Sequence, residues 1–320
     1  MSFRYRVATV FGGSGFIGRH LIKRLAKTGT VIRIATRHPS SANFLRTNGA
    51  VGQIVPIAVD IRDDASVAAA VRGSDIVINL IGILYESGVN SFKGTQAEAP
   101  ARIARAAKAA GAQRFIQISA IGADAKSKSA YARTKAAGEQ AVREAFPEAT
   151  ILRPSVVFGP EDGFFNRFAA MARVLPALPL IGGGHTKFQP VYVGDVADAI
   201  MKALASAEAP GKTYELGGPR VYTFKELMEL VLAETKRKRF LVSVPWSVAE
   251  FQGKVLGKLP KPMLTEDQVE LLRSDNVVAP GAATLADLGI SPTAAEVIIP
   301  TYLDRYRIGG RFSQRAGYGT

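Results

Sequence analysis

Short, continuous Val/Ile-rich runs alternate with stretches whose apolar residues recur at helical spacing, and this rhythm leaves few architectures open. Strand-like runs fall at 6–11, 31–36, 54–59, 76–81, 114–119 and 150–152, and helices are expected at about 17–28, 64–72, 97–110 and 131–144. A strand that is apolar throughout is buried on both faces. A helix between two such strands carries the chain back across the sheet, so the pattern predicts parallel strands covered by helices on both sides.

After residue 160 the rhythm breaks. Prolines, glycines and aromatics crowd residues 164–189, a short strand and helix at 191–204 are expected to return to the sheet, and helical patterns prevail from 222 onward. The expected division is a first domain at 1–160, rejoined by 188–206, and a smaller, mostly helical C-terminal domain from 161–187 and 207–320. At 320 residues and 47% hydrophobic content the chain can bury one large core and a satellite. Cysteine is absent, which excludes disulfides, iron–sulfur ligation and thiol catalysis, and three histidines make a zinc site a poor reading. The net charge of +14 suits anionic surfaces: nucleotides, acidic lipid headgroups or an acidic partner. Before Met201 there are 25 basic against 14 acidic residues, so +11 of the +14 lies inside the folded body and no detachable nucleic-acid-binding tail is present. No apolar run approaches the roughly 18 residues needed to span a bilayer, and nothing before Tyr5 reads as a signal or transit peptide.

The first strand-to-helix turn reads "VFGGSGFIGRHL". Gly12 permits a tight turn, Gly15 lets backbone N–H groups approach phosphates, and Gly18 lets the helix pack on the strand, so residues Gly12, Gly13, Ser14, Gly15, Phe16, Ile17 and Gly18 form a pyrophosphate loop. With the alternating pattern this makes the fold class α/β, a Rossmann-type doubly wound parallel sheet. The second strand selects the dinucleotide. An NAD site wants an acid at its end for the ribose 2′-hydroxyl, whereas Arg37 stands there, and a guanidinium suits a 2′-phosphate. NADP(H) is therefore favoured over NAD(H), with Arg33 or His38 able to share the role. Asp60 and Ile61 end the third strand beside the expected adenine, and Asn79, Leu80, Ile81 and Gly82 end the fourth, where the glycine allows a ribose to come close.

In "SAYARTKAAGE" Tyr131 precedes Lys135 by four residues, and Ser119 ends the fifth strand. A phenol with a pKa near 10 exchanges protons near neutrality only where a neighbouring cation stabilises its anion, and Lys135 is placed to supply one. Farther on, Arg153 and Pro154 end the sixth strand, and the backbone from Pro154 through Val156 and Val157 passes the expected nicotinamide.

The glycine loop, "NLIG", Ser119, the Tyr131/Lys135 pair and "LRPSVVFGPED" together resemble the extended and atypical branches of the short-chain dehydrogenase/reductase superfamily over nearly the whole chain. In active members the tyrosine is the general acid/base, the lysine lowers its pKa and holds the nicotinamide ribose, and the serine orients a substrate carbonyl. The resemblance puts those roles on Tyr131, Lys135 and Ser119. Three longer stretches, "AFPEATILRPSVVFGPEDGFFNRFAAM", "FQPVYVGDVADAI" and "VPWSVAEFQGKVLGKLPKPMLTEDQVELLRSDNVV", resemble the NADPH-binding accessory subunits of respiratory complex I in their alphaproteobacterial form. That resemblance implies a tightly held NADPH, partners among the other complex I subunits near the membrane junction, a place on the cytoplasmic face of a bacterial inner membrane, and a triad that no longer turns over.

Two functions stay open on the sequence: a non-catalytic complex I subunit stabilised by NADPH, or an NADPH-dependent reductase or sugar-nucleotide epimerase using Tyr131, Lys135 and Ser119. Residues 164–189 offer few polar anchors for a substrate, which favours the subunit. Between 245 and 264, Trp246, Val248, Phe251, Val255, Leu256 and Leu259 interleave with Lys254, Lys258 and Lys261 before Pro260 and Pro262. This pattern either meets anionic lipid headgroups or an acidic partner, or simply fills the second core. "KRKR" at 236–239 reads as a solvated helix end. Asp195 reads as a helix N-cap, His185 as an exposed loop residue, and Gln189 and Tyr192 as weaker site candidates.

Overall fold

The computed structural model describes residues 5–257, 259 and 262–310. The contacts divide the chain into two units, one holding the residues up to Pro154 with Val193–Leu216 and Ala279–Ser291, the other Ser155–Tyr192, Gly217–Val278 and the residues from Pro292 on.

In the first unit β1 (Val7–Phe11), β2 (Val31–Thr36), β3 (Ile54–Ala58), β4 (Ile76–Asn79), β5 (Arg114–Ile118) and β6 (Thr150–Pro154) alternate with α1 (Phe16–Ala26), α2 (Asp64–Val71), α3 (Ala99–Ala109) and α4 (Ala130–Ala145). Together with a strand at Thr213–Leu216 they build a seven-stranded sheet, ordered Thr213–Leu216, β6, β5, β4, β1, β2, β3. All pairings are parallel; Val10 of β1, for instance, registers with Ile34 of β2 and Ile78 of β4. The order reverses between β1 and β4, and in such sheets a ligand binds outside the carboxyl ends of the strands at that point. Apolar residues fill both faces; one core gathers Phe11, Val67, Val77, Ile103, Phe115, Val142 and Phe146.

The observed ends differ from the expected ones for local reasons. β4 stops at Asn79 rather than 81 because Asn79 Oδ1 accepts from Ile81 N (3.1 Å) and bends the chain. β3 stops at Ala58: Val59 N still donates to Thr36 O (3.0 Å), but Asp60 N turns to Ser66 Oγ (3.0 Å), so Asp60 and Ile61 lie in the loop beyond the strand. A π-helical stretch at Lys93–Glu98 precedes α3. Pro100 has no N–H to give the Gln96 carbonyl, so a regular turn cannot form there.

Of the return expected at 188–206, the part from Val193 on lies in the first unit, whereas 188–192 lies in the second. Val191–Tyr192 pairs with Val157–Phe158 in the second unit, while the helix Val193–Ala205 and the strand Thr213–Leu216 belong to the first. Asp195 is the third residue of that helix, inside its first turn, and not an N-cap.

In the second unit helices predominate over short strand pairs. A core of Phe158, Phe165, Leu178, Phe188, Phe224, Leu227 and Tyr302 holds it together. Asp162 accepts the Tyr302 hydroxyl (2.6 Å) and the N–H groups of Gly159, Phe164 and Asn166, so this buried carboxyl is fully used in fixing the 159–166 turn. Among the described residues no helix is long and apolar enough to cross a membrane.

Candidate functional site

The glycine loop leaves β1 at Phe11 and enters α1 at Phe16. Gly12 adopts φ +75°, and Gly15 N donates to its carbonyl (3.0 Å), closing the turn. A Cβ on Gly12 would lie 3.2 Å from the Leu80 carbonyl carbon, and one on Gly18 would lie 2.4 Å from Gly13 O. The first glycine thus allows contact between the ends of β1 and β4, and the last lets α1 sit on the loop. Gly13 packs under Ile34, Phe16 rests edge-on against His20, and Ser14 and Ile17 are half-buried. No side chain caps α1 at Gly15 and no acid stands in its first turn, so the helix presents unpaired N–H groups and the positive end of its dipole. These residues fit a pyrophosphate.

Arg37 lies one residue beyond β2, exposed, its Nη1 donating to Asn90 Oδ1 (3.1 Å). Arg33 is taken out of the reckoning: its guanidinium donates to the carbonyls of Arg72 (2.6 Å) and Ala70 and closes the end of α2. His38 is exposed and precedes a short helical segment. Asp60 is held by Arg62, whose guanidinium and backbone N–H donate to the carboxylate and keep its pKa at about 2. Ile61 gives its carbonyl to Arg102 (2.9 Å) and its side chain to the core. Asn79 is buried, Nδ2 donating to Gln117 Oε1 (2.9 Å) while Oδ1 accepts from Ile81, so it shapes the loop that carries Leu80, Ile81 and Gly82.

Ser129 Oγ caps α4 by accepting from Ala132 N (3.2 Å), which fixes the helix start two residues before Tyr131. Tyr131 and Lys135 then share one face, with Lys135 Nζ 5.8 Å from the Tyr131 ring centroid. A Cβ on Gly82 would lie 3.1 Å from Lys135 Nζ, so the fourth-strand loop and the lysine meet at that glycine. Burial pulls the Lys135 ammonium down to about 8, against the charge of Glu139 one turn on. Ser119 follows β5 and is 4% exposed, and its hydroxyl has no hydrogen-bond partner in the structure. An ammonium with a lowered pKa beside a phenol, and a buried hydroxyl without a partner, suit both ribose binding and proton transfer.

Sequence reasoning missed what holds these groups. Phe92 meets Tyr131 edge-on (5.9 Å), and Asn90 holds Arg37. Arg153 makes a two-pronged bond to Glu139 (2.8 and 2.7 Å) and reaches Glu215 (3.4 Å), tying α4 to β6 and to the strand Thr213–Leu216. An acid four residues after Lys135 and an arginine before Pro154 were the available signal.

Pro154 ends β6, its carbonyl accepting from Ile121 N (3.1 Å). Val156 and Val157 belong to the second unit, Val156 O accepting from Val191 N (3.0 Å) and Val157 pairing with Val191. Gln189 is a staple, with Nε2 on Gly218 O (2.8 Å) and Oε1 taking Val278 N (3.0 Å). His185 is an exposed loop residue, and Tyr192 packs on Phe158 (5.8 Å).

The helix Trp246–Leu256 answers both late-chain readings at once. Ala249 and Gly253 are buried, a Cβ on Gly253 lying only 2.8 Å from Glu266 N, while Val248, Phe251 (69% exposed) and Val255 form an uncovered apolar face opposite them. Trp246 is half-buried beneath Arg273 (4.8 Å), Leu256 is half-buried, Leu259 is exposed, and Lys254 pairs with Glu266 (3.4 Å). Lys258, Pro260 and Lys261 lie outside the described residues. In 236–239, Lys236 ends a helix, while Arg237 and Arg239 donate to the carbonyls of Tyr306 (2.9 Å) and Ala172 (2.8 Å). Beside them Phe240 (77% exposed), Val242, Arg173 and Val174 (78% exposed) are uncovered.

The model of the NAD dependent epimerase/dehydratase family matches residues 8–217. The chain is 40% identical over 316 residues to the mitochondrial NADH dehydrogenase [ubiquinone] 1 alpha subcomplex subunit 9 of Arabidopsis thaliana, covering 95% of this chain and 79% of that protein. It is 37% identical over 301 residues to the mitochondrial NADH-ubiquinone oxidoreductase 40 kDa subunit of Neurospora crassa, covering 94% and 79%. A crystal structure of an NADPH-dependent quinone oxidoreductase from Escherichia coli, complexed with NADPH, superposes with a TM-score of 0.72 at 20% identity over 92% of this chain and 99% of that one, a likeness of fold. The family model spans the glycine loop, and the family's fold implies binding of a nicotinamide dinucleotide. The chain belongs to the NAD dependent epimerase/dehydratase family and, within it, to the family of the alpha subcomplex subunit 9 and 40 kDa subunits of NADH dehydrogenase.

Proposed function

We propose that this chain is an accessory subunit of respiratory complex I that holds NADPH as a structural cofactor and contributes no turnover of its own. The observation that carries the reading is identity of 37–40% with subunits of NADH dehydrogenase along 94–95% of the chain. The glycine loop is intact over that span, as the pyrophosphate requires. NADPH is preferred over NADH because the group beyond β2 is the Arg37 guanidinium, paired with no carboxylate among the described residues. When bound, the cofactor supplies a hydride-carrying nicotinamide. Lys135 and Tyr131 hold its ribose, and Gly12 to Gly18 its pyrophosphate. A ligand kept at about 1,000 times its Kd adds about 4 kcal/mol to a fold, a large share of ordinary domain stability.

The chain sits peripherally on the cytoplasmic face of a bacterial inner membrane, among the other subunits of the complex. Uncovered Val174, Phe240 and Val242 beside Arg173 and Lys238 support contact with anionic lipid headgroups. A second reading, an NADPH-dependent reductase or epimerase, is favoured by one observation: the buried Ser119 hydroxyl without a partner, which ribose binding does not use.

Two substitutions separate the readings. Tyr131→Phe leaves complex I activity and assembly near wild type, and Arg37→Glu lowers bound NADPH and assembled complex together. An NADPH-dependent reduction abolished by Tyr131→Phe alone would establish the enzyme instead.

A further inference from the structure

Arg37 does not stand free beyond β2; it is held by a hairpin that nothing in the sequence pattern marks as part of a cofactor site. The loop between β4 and the π-helical stretch folds back on itself at Ser87 and Asn90, whose backbones exchange two hydrogen bonds (3.1 and 3.0 Å) around Gly88 at φ +56°. Glu86 Oε1 accepts Phe92 N (2.6 Å) and braces the stem, and Phe92, buried, sets its ring against Tyr131. The hairpin is therefore anchored on α4 at one end and reaches Arg37 at the other.

The amide of Asn90 is oriented by its own surroundings. Its Nδ2 donates to Ser87 O (3.3 Å), which leaves Oδ1 as the atom facing Arg37 Nη1 (3.1 Å). The chemistry of that acceptor matters. A guanidinium carries five N–H donors and a charge that does not titrate away, and a neutral amide oxygen takes one donor without cancelling the charge. A carboxylate in the same place would hold Arg37 as well, but it would neutralise the group on which a 2′-phosphate depends and would repel the phosphate.

We propose that Asn90 is a specificity-determining residue of the dinucleotide site: it positions Arg37, through a neutral hydrogen bond, for a 2′-phosphorylated adenosine. The inference rests on the reading of Arg37 as the residue that selects NADPH. It makes cofactor choice depend on the 83–92 hairpin as well as on the end of β2, and it links the 2′-phosphate end of the site to the Tyr131 end through residues only two apart, Asn90 and Phe92.

The test uses the full chain, with NADPH and NADH binding measured by calorimetric titration for wild type, Asn90→Ala, Asn90→Asp and Arg37→Ala. One net hydrogen bond corresponds to about a three- to tenfold change in affinity. Asn90→Ala is expected to weaken NADPH by about that factor and to leave NADH within about twofold. Asn90→Asp, which keeps an acceptor but adds a charge, is expected to weaken NADPH at least as much. A proportional loss of both cofactors in Asn90→Ala, no loss of either, or an Asn90→Asp variant that binds NADPH as wild type does would overturn the proposal. Should Asn90→Ala be poorly folded, competition by 2′,5′-ADP against 5′-ADP on Asn90→Asp separates the same outcomes. Arg37→Ala reports separately: if it leaves the NADPH-to-NADH ratio unchanged, the underlying reading of Arg37 fails, whatever Asn90 does.

Discussion

Lys135 is the buried ammonium of the candidate site, beside Tyr131, and its burial has a measurable consequence. Folding takes its ammonium from the ordinary 10.5 to about 8, so the folded state gives up its proton first as pH rises. Below about 8 both states are protonated and the penalty of burying the charge is fully present; between about 8 and 10.5 the unfolded state binds more protons, and stability rises with pH. Lys135→Met is therefore expected to raise the cofactor-free unfolding midpoint at neutral pH and to remove the rise between pH 8 and 10, measured by denaturant titration across pH. A midpoint that falls would contradict a desolvated ammonium. The position of Lys135 and Tyr131 on one face was readable from spacing alone, because four residues make one helical turn. That Asn79 is spent on Gln117 and Ile81, Arg33 on the end of α2 and Asp60 on Arg62 was not, since each is a pairing with a residue distant in sequence or hidden in a turn.

Elements met the expectation where burial alone decides them and departed where a side chain or a proline intervenes. The run 31–36 is β2 to the residue. The strand Thr213–Leu216 is weakly marked in the sequence, since Tyr214 and Leu216 alternate with Thr213 and the charged Glu215 between Gly211 and Gly217. α4 shows how closely the elements fit. A Cβ on Gly138 would lie 2.0 Å from Gln96 O, in the stretch where Pro100 forbids a regular turn. Gly138→Ala gains helix propensity, worth about 1 kcal/mol, yet it must push the π-helical stretch off the helix that carries Tyr131 and Lys135. The expected net result is a loss of about 1–3 kcal/mol in denaturant unfolding together with weaker cofactor binding. Stabilisation by this substitution would show that α4 and the π-helical stretch can separate at Gly138 without cost.

At the scale of the whole molecule the sequence spoke clearly for the first unit and poorly for the second. Parallel strands buried on both faces announce themselves through Val/Ile runs, whereas the second unit pairs short strands far apart in sequence, such as Ala177–Ile181 with Phe240–Val244, and depends on distant partners such as Asp162 and Tyr302. Its uncovered residues carry a prediction of their own. Phe240 and Phe251 are 77% and 69% exposed, so replacing them with serine costs the fold little. If they enter a headgroup layer, the double variant binds vesicles rich in anionic lipid about a hundredfold or more weakly in flotation assays, because each phenylalanine buried contributes about 1.5–3 kcal/mol and about 1.4 kcal/mol is a factor of ten. Binding of wild type should also fall with salt, given a net charge of +14. Equal affinity for neutral and anionic vesicles would rule out recognition of anionic headgroups.

A complex I subunit cemented by NADPH should stay with its partners and its cofactor through native purification from membranes in mild detergent, with the nucleotide then extracted and identified. The chain is expected to copurify with NADH:quinone oxidoreductase and to carry about one NADPH per copy that survives washing, as a slowly dissociating ligand does. Recovery only as a free protein with readily exchanged or absent nucleotide would contradict it.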